Sequence, residues 1–330
     1  MNRRKLFFLT VWLVGCSLVF FTIRELPLAG MLERLREISL LRLVGLLAIN
    51  SLILFLSVKR WQILAQVFDI QLSLAYLFKV RQAGNTISFV TPGPQFGGEP
   101  LQLYWLRQSQ EIPLDISLAI LGADRFMEIF INLSILLLSV IFIFFTDIEV
   151  NIAKTFLIMF LTVAILTMLL VLFFRQPEWL KNIFKSLFSR FTHTVSNPNE
   201  SQNASSGWGR ILKKIEKNKS KVILAATIAL LGWIALLLEL FMMMEALGVS
   251  PNFYEIIFVM LGIRIALLMP VPGGVGTVEA SLFWSFEILG LTLAGAGGLI
   301  ALSRLRDVIV LFIGIGCLSN LSKLSLQTKA

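Results

Sequence analysis

The chain has 330 residues, of which 57% are hydrophobic and 15% charged, and its mean hydropathy is +0.83. This composition excludes a soluble globular domain and predicts an integral membrane protein. The net charge of +9 does not predict a nucleic-acid partner, because the basic residues cluster between apolar runs, where the positive-inside bias explains them. Cys16 and Cys317 both lie in apolar runs, so no disulfide framework or metal-ligand spacing is present in the sequence.

The first apolar run, Leu6 to Ile23, follows a basic start and has two possible interpretations. It is long for a signal peptide and lacks a small-x-small cleavage pattern, so we expect a retained span that starts in the cytoplasm. Residues 24–39 have helical apolar spacing among charges, which predicts an amphipathic helix at the outer interface. A second span is predicted from Leu40 to Val58, returning to the cytoplasm at Lys59 and Arg60.

The next apolar run, Leu74 to Val90, contains Lys79, Arg81, Gln82 and Asn85 and stops at a Pro-Gly break. A full crossing with so many polar side chains is costly, whereas a half-helix that turns back is tolerated where protein or water covers it. We therefore predict a re-entrant hairpin over residues 74–106.

The middle of the chain continues with a long helix predicted over residues 115–145, an outer turn at 147–149, and a span over 152–174. Residues 175–221 form a strongly basic segment, which predicts a cytoplasmic loop. Its centre, 194–209, is rich in Ser, Asn and Gly and is typical of a flexible linker. In the second half we predict a span over 222–247, an interrupted segment over 253–289, and a last span over 299–318.

Two Pro-Gly breaks repeat along the chain. Pro92 to Glu99 is matched 180 residues later by Pro272 to Glu279, with a Pro at the start, a Glu at the end and glycines between. An arginine followed three positions later by an acid also repeats, at a shift of 179: Arg125 with Glu128, and Arg304 with Asp307. These matches indicate an internal duplication.

The predicted architecture is an all-α polytopic membrane protein with about six transmembrane helices and two re-entrant hairpins. The repeat units span about 40–146 and 221–322, and following the chain across the membrane gives them opposite orientations, which is an inverted repeat. Both termini are then cytoplasmic, and we expect the cell inner (plasma) membrane as the location.

The candidate site residues are charges next to the breaks or inside apolar runs. Glu99 and Glu279 lie near helix starts, where they could act simply as caps. Arg125, Arg264 and Arg304 lie several residues inside apolar runs, where an unpaired charge is costly.

The arginines also have a purely structural interpretation. Arg125 could pair with Glu128 or Asp124, and Arg304 with Asp307, at helical spacing. Arg264 has no acidic neighbour in helical register. The functional interpretation is that the three guanidinium groups, balanced by the two glutamates when the site is empty, line a wet cavity for a phosphate-bearing headgroup. The supporting residues are Glu128, Asp307, Pro92, Gly93, Gly98, Pro272, Gly273, Gly274 and Gly276.

Several chemistries have no motif in this sequence. It contains no Gly-x-x-x-x-Gly-Lys-Ser/Thr loop for nucleotide hydrolysis, and its one histidine, His193, falls in the predicted linker. We therefore predict no catalytic residue, no metal site and no cofactor.

The two break motifs, with Arg304 on the last helix, resemble the lysylphosphatidylglycerol synthase transmembrane region, the flippase-like domain of bacterial multiple peptide resistance factors. The resemblance covers nearly the whole chain and implies a lipid translocase-like domain, with Glu99, Arg125, Glu279 and Arg304 as its important positions. The soluble aminoacyl-transferase domain of the full-length proteins has no counterpart here, which implies a stand-alone member without lysyl-lipid synthesis. Gln95 and Gln102 stand where members often carry a basic residue, so the headgroup is expected to differ.

The predicted function is therefore movement of a membrane phospholipid or a polyprenyl-phosphate-linked lipid between leaflets, with a homo-oligomer possible. A membrane transferase that uses a polyprenyl-phosphate donor is one alternative, although paired carboxylates in the loops are scarce. A small-anion secondary transporter is the other.

Overall fold

A computed structural model describes residues 38–91, 97–110, 112–144, 211, 213–269 and 271–327, and within these ranges the regular secondary structure is helical. The predictions for 6–23, 24–37, 152–174 and 194–209, and those for Pro92 and Gly93, lie outside the described residues. The helices are α1 (Leu40–Val67), α2 (Leu74–Val90), α3 (Glu99–Gln110), α4 (Leu114–Phe144), α5 (Lys219–Ala246), α6 (Phe253–Leu267), a short 3₁₀ turn (Pro272–Gly274), α7 (Thr277–Ile288) and α8 (Leu293–Gln327).

Two of the described helices, α1 and α5, are long and apolar enough to cross a membrane, with 28 residues each. At 1.5 Å per residue such a helix is longer than the hydrocarbon core of a bilayer, about 30 Å. Helices α4 and α8 are longer still, with 31 and 35 residues, but carry charged side chains in their interiors. Large apolar side chains are exposed along α1, α5 and α8, for example Phe55, Ile234 and Phe312. Such faces suit contact with lipid.

The second span was predicted to end at Lys59 and Arg60, whereas helix α1 continues to Val67. Arg60 is only 8% exposed and forms an ion pair with Asp124 of α4 at 2.7 Å. Its charge is therefore neutralised inside the protein.

Helices α1 and α5 pack against each other in opposite directions. At one end, Asn218 Nδ2 and Lys221 Nζ, at the start of α5, donate to the carbonyls of Val67 and Gln66 at 3.0 Å each. At the other end, Gly45 near the start of α1 faces Met242 near the end of α5. Lysine and asparagine side chains thus satisfy the carbonyls that the last turn of α1 leaves free.

Helices α2 and α8 form a second antiparallel pair. Lys79 Nζ, early in α2, donates to Asn320 Oδ1, late in α8, at 3.2 Å. Further along, Gly314 lies against Thr86 and the carbonyl of Gln82, so closely that a Cβ at position 314 would overlap Thr86. A glycine is required here because the two helix backbones approach each other.

Two helix-break-helix units lie inside this frame. In the first, α2 returns through a break into α3, and Gly98 packs directly on the backbone of Gly84 while its N–H donates to Ser88 Oγ at 2.9 Å. In the second, α6 continues through the 3₁₀ turn into α7. Gly273 of this turn lies against the ring of Phe89 at the end of α2. The two breaks therefore come close together.

The order of elements repeats at nearly constant spacing. Helices α1 and α5 start at Leu40 and Lys219, 179 positions apart, and α2 and α6 start at Leu74 and Phe253, again 179 apart. Helices α4 and α8 start 179 positions apart as well, and α3 and α7 start 178 apart. Two apolar cores form, one around Trp61, Leu77 and Leu106 and the other around Met244, Leu282 and Phe286. Each also includes a residue from the other half, Leu321 in the first core and Leu46 in the second.

Close packing of α8 on α2 predicts that Gly314→Ala lowers stability, because the added methyl group must displace Thr86 or the backbone of Gln82. Overpacking of this kind costs about 1–3 kcal/mol. Gly316→Ala is the matched control on the same helix, since nothing lies within 4 Å of its Cβ position. Thermal unfolding of both variants in detergent checks this, and equal melting temperatures would show that the two helices do not pack as described.

Candidate functional site

The first break is held by Glu99, the first residue of α3. Its Oε2 accepts the N–H of Gly97 at 2.7 Å, and its Oε1 lies 2.9 Å from Arg125 Nη2 of α4. Arg125 Nη1 also donates to Glu128 Oε2 at 3.0 Å, one turn along the same helix. A carboxylate suits this position because the first N–H groups of a helix have no partner within it.

The second break is held in the same way by Glu279, near the start of α7. Its Oε2 accepts the N–H of Gly276 at 2.7 Å, and its Oε1 accepts from Arg304 Nε of α8 at 2.7 Å. Arg304 Nη1 donates to Asp307 Oδ2 at 3.1 Å and to the carbonyl of Gly273 at 3.2 Å. Gly276 has φ of 85°, a left-handed conformation that a residue with a side chain adopts only under strain.

Contacts expected from helical spacing are thus present for Arg125 with Glu128 and for Arg304 with Asp307. Asp124 does not pair with Arg125, its neighbour in sequence, because adjacent residues on a helix point in different directions. Instead Asp124, which is 2% exposed, accepts from Arg60 Nε of α1 at 2.7 Å and from Arg81 Nη1 of α2 at 2.9 Å.

Sequence reasoning missed Arg60 and Arg81 as members of this site. Their outer nitrogens also approach Glu128 Oε2, at 3.7 Å from Arg60 and 3.9 Å from Arg81. The sequence shows only that Arg81 lies among other polar residues in an apolar run, which predicts a hairpin, and that Arg60 follows an apolar run, which predicts a membrane interface. The partner, Asp124, lies 64 and 43 positions away, so no local spacing indicated it.

The second half has a corresponding but different pair. Arg306 Nη1 of α8 donates to Glu239 Oε1 of α5 at 2.9 Å, and Arg306 Nη2 lies 3.0 Å from Asp307 Oδ1. Glu239 is 3% exposed. A carboxylate on α5 here takes the place that an arginine, Arg60, has on α1.

Arg264 of α6 differs from the other arginines of this region. Within the described residues no carboxylate oxygen lies within 4.0 Å of it, and its guanidinium instead stacks on the ring of Trp233, 4.5 Å from the ring centroid. Its Nε is buried and has no hydrogen-bond partner. The charged groups that act on it from further away are Glu128, Arg306 and Glu239.

A cavity of about 130 Å³ lies beside Arg264. Its polar wall is formed by Arg60, Arg81, Glu128 and Arg264, and its apolar wall by residues of α1, α4 and α5 such as Leu56 and Leu236. The volume corresponds to about four water molecules at ~30 Å³ each. Two of its arginine nitrogens, Arg60 Nη2 and Arg264 Nε, are buried without an acceptor.

Charged donors without acceptors attract an anion, since leaving them unsatisfied is costly.

A larger open groove of about 730 Å³, at the end of α1, is lined by Gln62, Gln66, Asp69 and Lys221 among others and contains none of these arginines. In the described ranges no cluster of three or more His, Cys, Asp or Glu side chains is arranged to hold a metal ion.

Apolar helices of membrane-spanning length, with ion pairs enclosed between them, define an all-α integral membrane protein. Residues 8–314 match the family described as the lysylphosphatidylglycerol synthase TM region, and the chain belongs to this family. The resemblance of the break motifs to that family is thereby confirmed.

Two relatives are both described as "UPF0104 membrane protein" from Methanothermobacter thermautotrophicus strain Delta H. One is 21% identical over 270 residues, covering 79% of this chain and 79% of the relative. The other is 26% identical over 255 residues, covering 74% of this chain and 72% of the relative. No solved structure matches the chain.

The pairing of Glu279 with Arg304 predicts that Glu279→Gln destabilises the protein. The amide still accepts from Gly276 but no longer shares in neutralising Arg304, which keeps Asp307 at 3.1 Å. Because this partner remains, we expect a cost below the about 3–5 kcal/mol typical of a buried charge left without a partner. Glu287→Gln, an exposed position on the same helix, is the control. Chemical or thermal unfolding of both variants in detergent measures the difference, and equal stability of the two would mean that the pair does not hold the break.

Proposed function

We propose that this protein moves a phosphate-bearing lipid, either a phospholipid or a polyprenyl-phosphate-linked carrier, between the two leaflets of its membrane. The observation that carries this proposal is Arg264, a guanidinium without a carboxylate partner in the described structure. It lies beside a cavity that also contains Arg60 Nη2, a buried nitrogen without a hydrogen-bond acceptor. Arginine suits a phosphate because its planar fork donates to two oxygens at once.

The proposed transport unit is an inverted repeat with re-entrant hairpins, its halves spanning about 40–146 and 221–322. The constant spacing of helix starts supports a duplication. The antiparallel packing of α1 on its counterpart α5 supports opposite orientation, because a two-fold axis in the membrane plane reverses equivalent helices. Contact between Gly273 and Phe89 supports hairpins whose breaks meet inside the membrane.

The five residues predicted to bind substrate divide into two roles in this proposal. Glu99 with Arg125 and Glu279 with Arg304 occur in both halves and hold the breaks, so we assign them to the moving framework. Arg264 has an asparagine, Asn85, at the position 179 residues earlier. It therefore belongs to one half alone, and we assign it to the headgroup.

Arg60 and Arg81 also belong to one half alone. The positions 179 residues after them hold Glu239 and Met260. We therefore add Arg60 and Arg81 to the headgroup site. A cavity of about 130 Å³ holds a phosphate group but not acyl chains, which in this mechanism remain in the bilayer beside the exposed apolar faces of α1 and α5.

The membrane orientation follows from the basic segment 175–221, which we place in the cytoplasm. Lys214 and Lys221, at its end, donate to the last carbonyls of α1. The end of α1 and the start of α2 then face the cytoplasm, and the start of α6 faces the opposite side, in the inner (plasma) membrane of the cell.

This orientation predicts that cysteines at Ser73 and Asn252, just before α2 and α6, are labelled from opposite sides. Both positions are exposed. In a variant with Cys16 and Cys317 replaced by serine, a membrane-impermeant thiol reagent should label Asn252→Cys in intact cells and Ser73→Cys only after permeabilisation. Labelling of both from the same side would overturn the inverted repeat.

The transport proposal predicts that Arg264→Gln slows lipid exchange between leaflets at least about tenfold, because a hydrogen bond to a charged group contributes about 1.5–3 kcal/mol. The measurement uses vesicles reconstituted with purified protein and a fluorescent phosphatidylglycerol, with dithionite added to bleach the label in the outer leaflet.

Arg42→Gln, an exposed arginine on α1, is the control and should exchange lipid like the wild type. Wild-type vesicles that exchange no more lipid than protein-free vesicles would contradict the proposal. Uptake of labelled inorganic phosphate without lipid exchange would instead identify a small-anion transporter.

A further inference from the structure

We propose that the cavity accepts a lipid headgroup with a single negative charge, that of one phosphodiester, and that Glu128 excludes headgroups with a second ionised group. This inference rests on the proposed function, because it names the class of lipid for the same site. It follows from the charges around the cavity, from its free donors, and from the position of Glu128.

The charges connected to the cavity wall nearly cancel. Three arginines, Arg60, Arg81 and Arg125, are joined by ion pairs to three carboxylates, Glu99, Asp124 and Glu128. Each group of this network has a partner of opposite sign within 4.0 Å. The network alone therefore leaves no net charge for a ligand to balance.

Arg264 adds one positive charge to this balance. Arg264 is the remaining charged residue of the cavity lining, and within the described residues no carboxylate oxygen lies within 4.0 Å of it. The second-half ion pairs, Arg306 with Glu239 and Asp307 and Arg304 with Glu279 and Asp307, do not line the cavity, so the balance at its wall does not include them. The surplus at the cavity is therefore one positive charge, and a monoanion neutralises it.

The free donors match the unesterified oxygens of a phosphodiester in number. Arg60 Nη2 and Arg264 Nε are both buried without an acceptor, and they come from different helices on the wall of the same cavity. A phosphodiester has two unesterified oxygens that share one charge, so each donor can bind one oxygen.

Glu128 limits what else can enter. Its Oε2 is already engaged by Arg125 at 3.0 Å and approached by Arg60 and Arg81 at 3.7 and 3.9 Å, so it has no free acceptor for an ammonium group. For the same reason it stays in place, and a second anionic group in the cavity would meet its charge. Like charges in a partly buried site repel strongly, which makes Glu128 a selectivity residue.

The test measures binding of short-chain lipids to the purified full-length protein in a non-ionic detergent at pH 8 by isothermal titration calorimetry. The probes are dihexanoyl phosphatidylglycerol with one negative charge, dihexanoyl phosphatidylcholine with none, and dihexanoyl phosphatidic acid. The last carries nearly two charges, because the second pKa of a phosphate monoester lies near 6. We expect the wild type to bind phosphatidylglycerol at least about tenfold more tightly than either other lipid.

The matched variants change the surplus by one unit each. Glu128→Gln raises it to two and should make phosphatidic acid the tightest ligand, whereas Arg264→Gln removes it and should abolish the preference for phosphatidylglycerol. Arg42→Gln should bind like the wild type. Wild-type protein that binds phosphatidic acid as tightly as phosphatidylglycerol, or a Glu128→Gln variant with unchanged order, would overturn the charge rule.

Failure of the proposed function has a different signature. If no lipid binds the wild type more tightly than it binds Arg264→Gln, the cavity is not the lipid site at all. If all three lipids bind equally but depend on Arg264, only the charge rule fails. Glycerophosphoglycerol, the headgroup without acyl chains, is the last probe, and binding as tight as that of the lipid would overturn the assignment to a lipid.

Discussion

Pairing of buried arginines with carboxylates from other helices is the constraint on which this structure depends. A charge at the centre of a bilayer costs at least about 3 kcal/mol unless it is paired or hydrated. Each pair therefore fixes two helices relative to each other: Asp124 holds α1 and α2 on α4, Arg125 holds the break before α3 on α4, and Arg304 holds the second break on α8. Buried ion pairs add little net stability compared with apolar packing, but removing one partner is costly, so such pairs restrict the arrangement more than they strengthen it.

The breaks add a second requirement. A helix that begins inside a protein leaves its first N–H groups without partners in the helix. In each half one glutamate accepts the N–H of a glycine at this point while it pairs with an arginine. One carboxylate thus satisfies the backbone and neutralises a charge. Movement of α4 or α8 away from its break has to separate an arginine from that carboxylate, which links backbone geometry at the break to the position of a long helix.

Short-range patterns in the sequence predicted the breaks and the ion pairs between residues three positions apart. The repeated Pro-Gly motifs predicted the position of the breaks, and a spacing of three residues predicted the contact of Arg125 with Glu128 and of Arg304 with Asp307. The absence of an acidic neighbour near Arg264 was also visible. The pairing of Arg60 with Asp124 could not be predicted, because a basic residue at a membrane interface and one paired with a distant carboxylate look identical in a sequence. The cavity could not be predicted, since α1, α2, α4, α5 and α6 all contribute to its wall.

A chain of ion pairs connects the cavity to the first break. Among the described residues, the second break has no such connection. Glu128 lines the cavity and accepts a hydrogen bond from Arg125. Arg125 also pairs with Glu99, the residue that accepts the N–H of Gly97 at the break. In the proposed mechanism an anion bound at Arg264 and Arg60 competes with Glu128 for Arg60, so the charge of Glu128, which stays in place, acts more strongly on Arg125. That change weakens the hold of Glu99 on Arg125 without breaking any apolar contact. In the second half no arginine occupies the position equivalent to Arg60, so an anion has no corresponding way to loosen the Glu279 pair. In the proposed mechanism the headgroup site therefore acts on one break only, and a bound substrate would favour movement of the first half over the second.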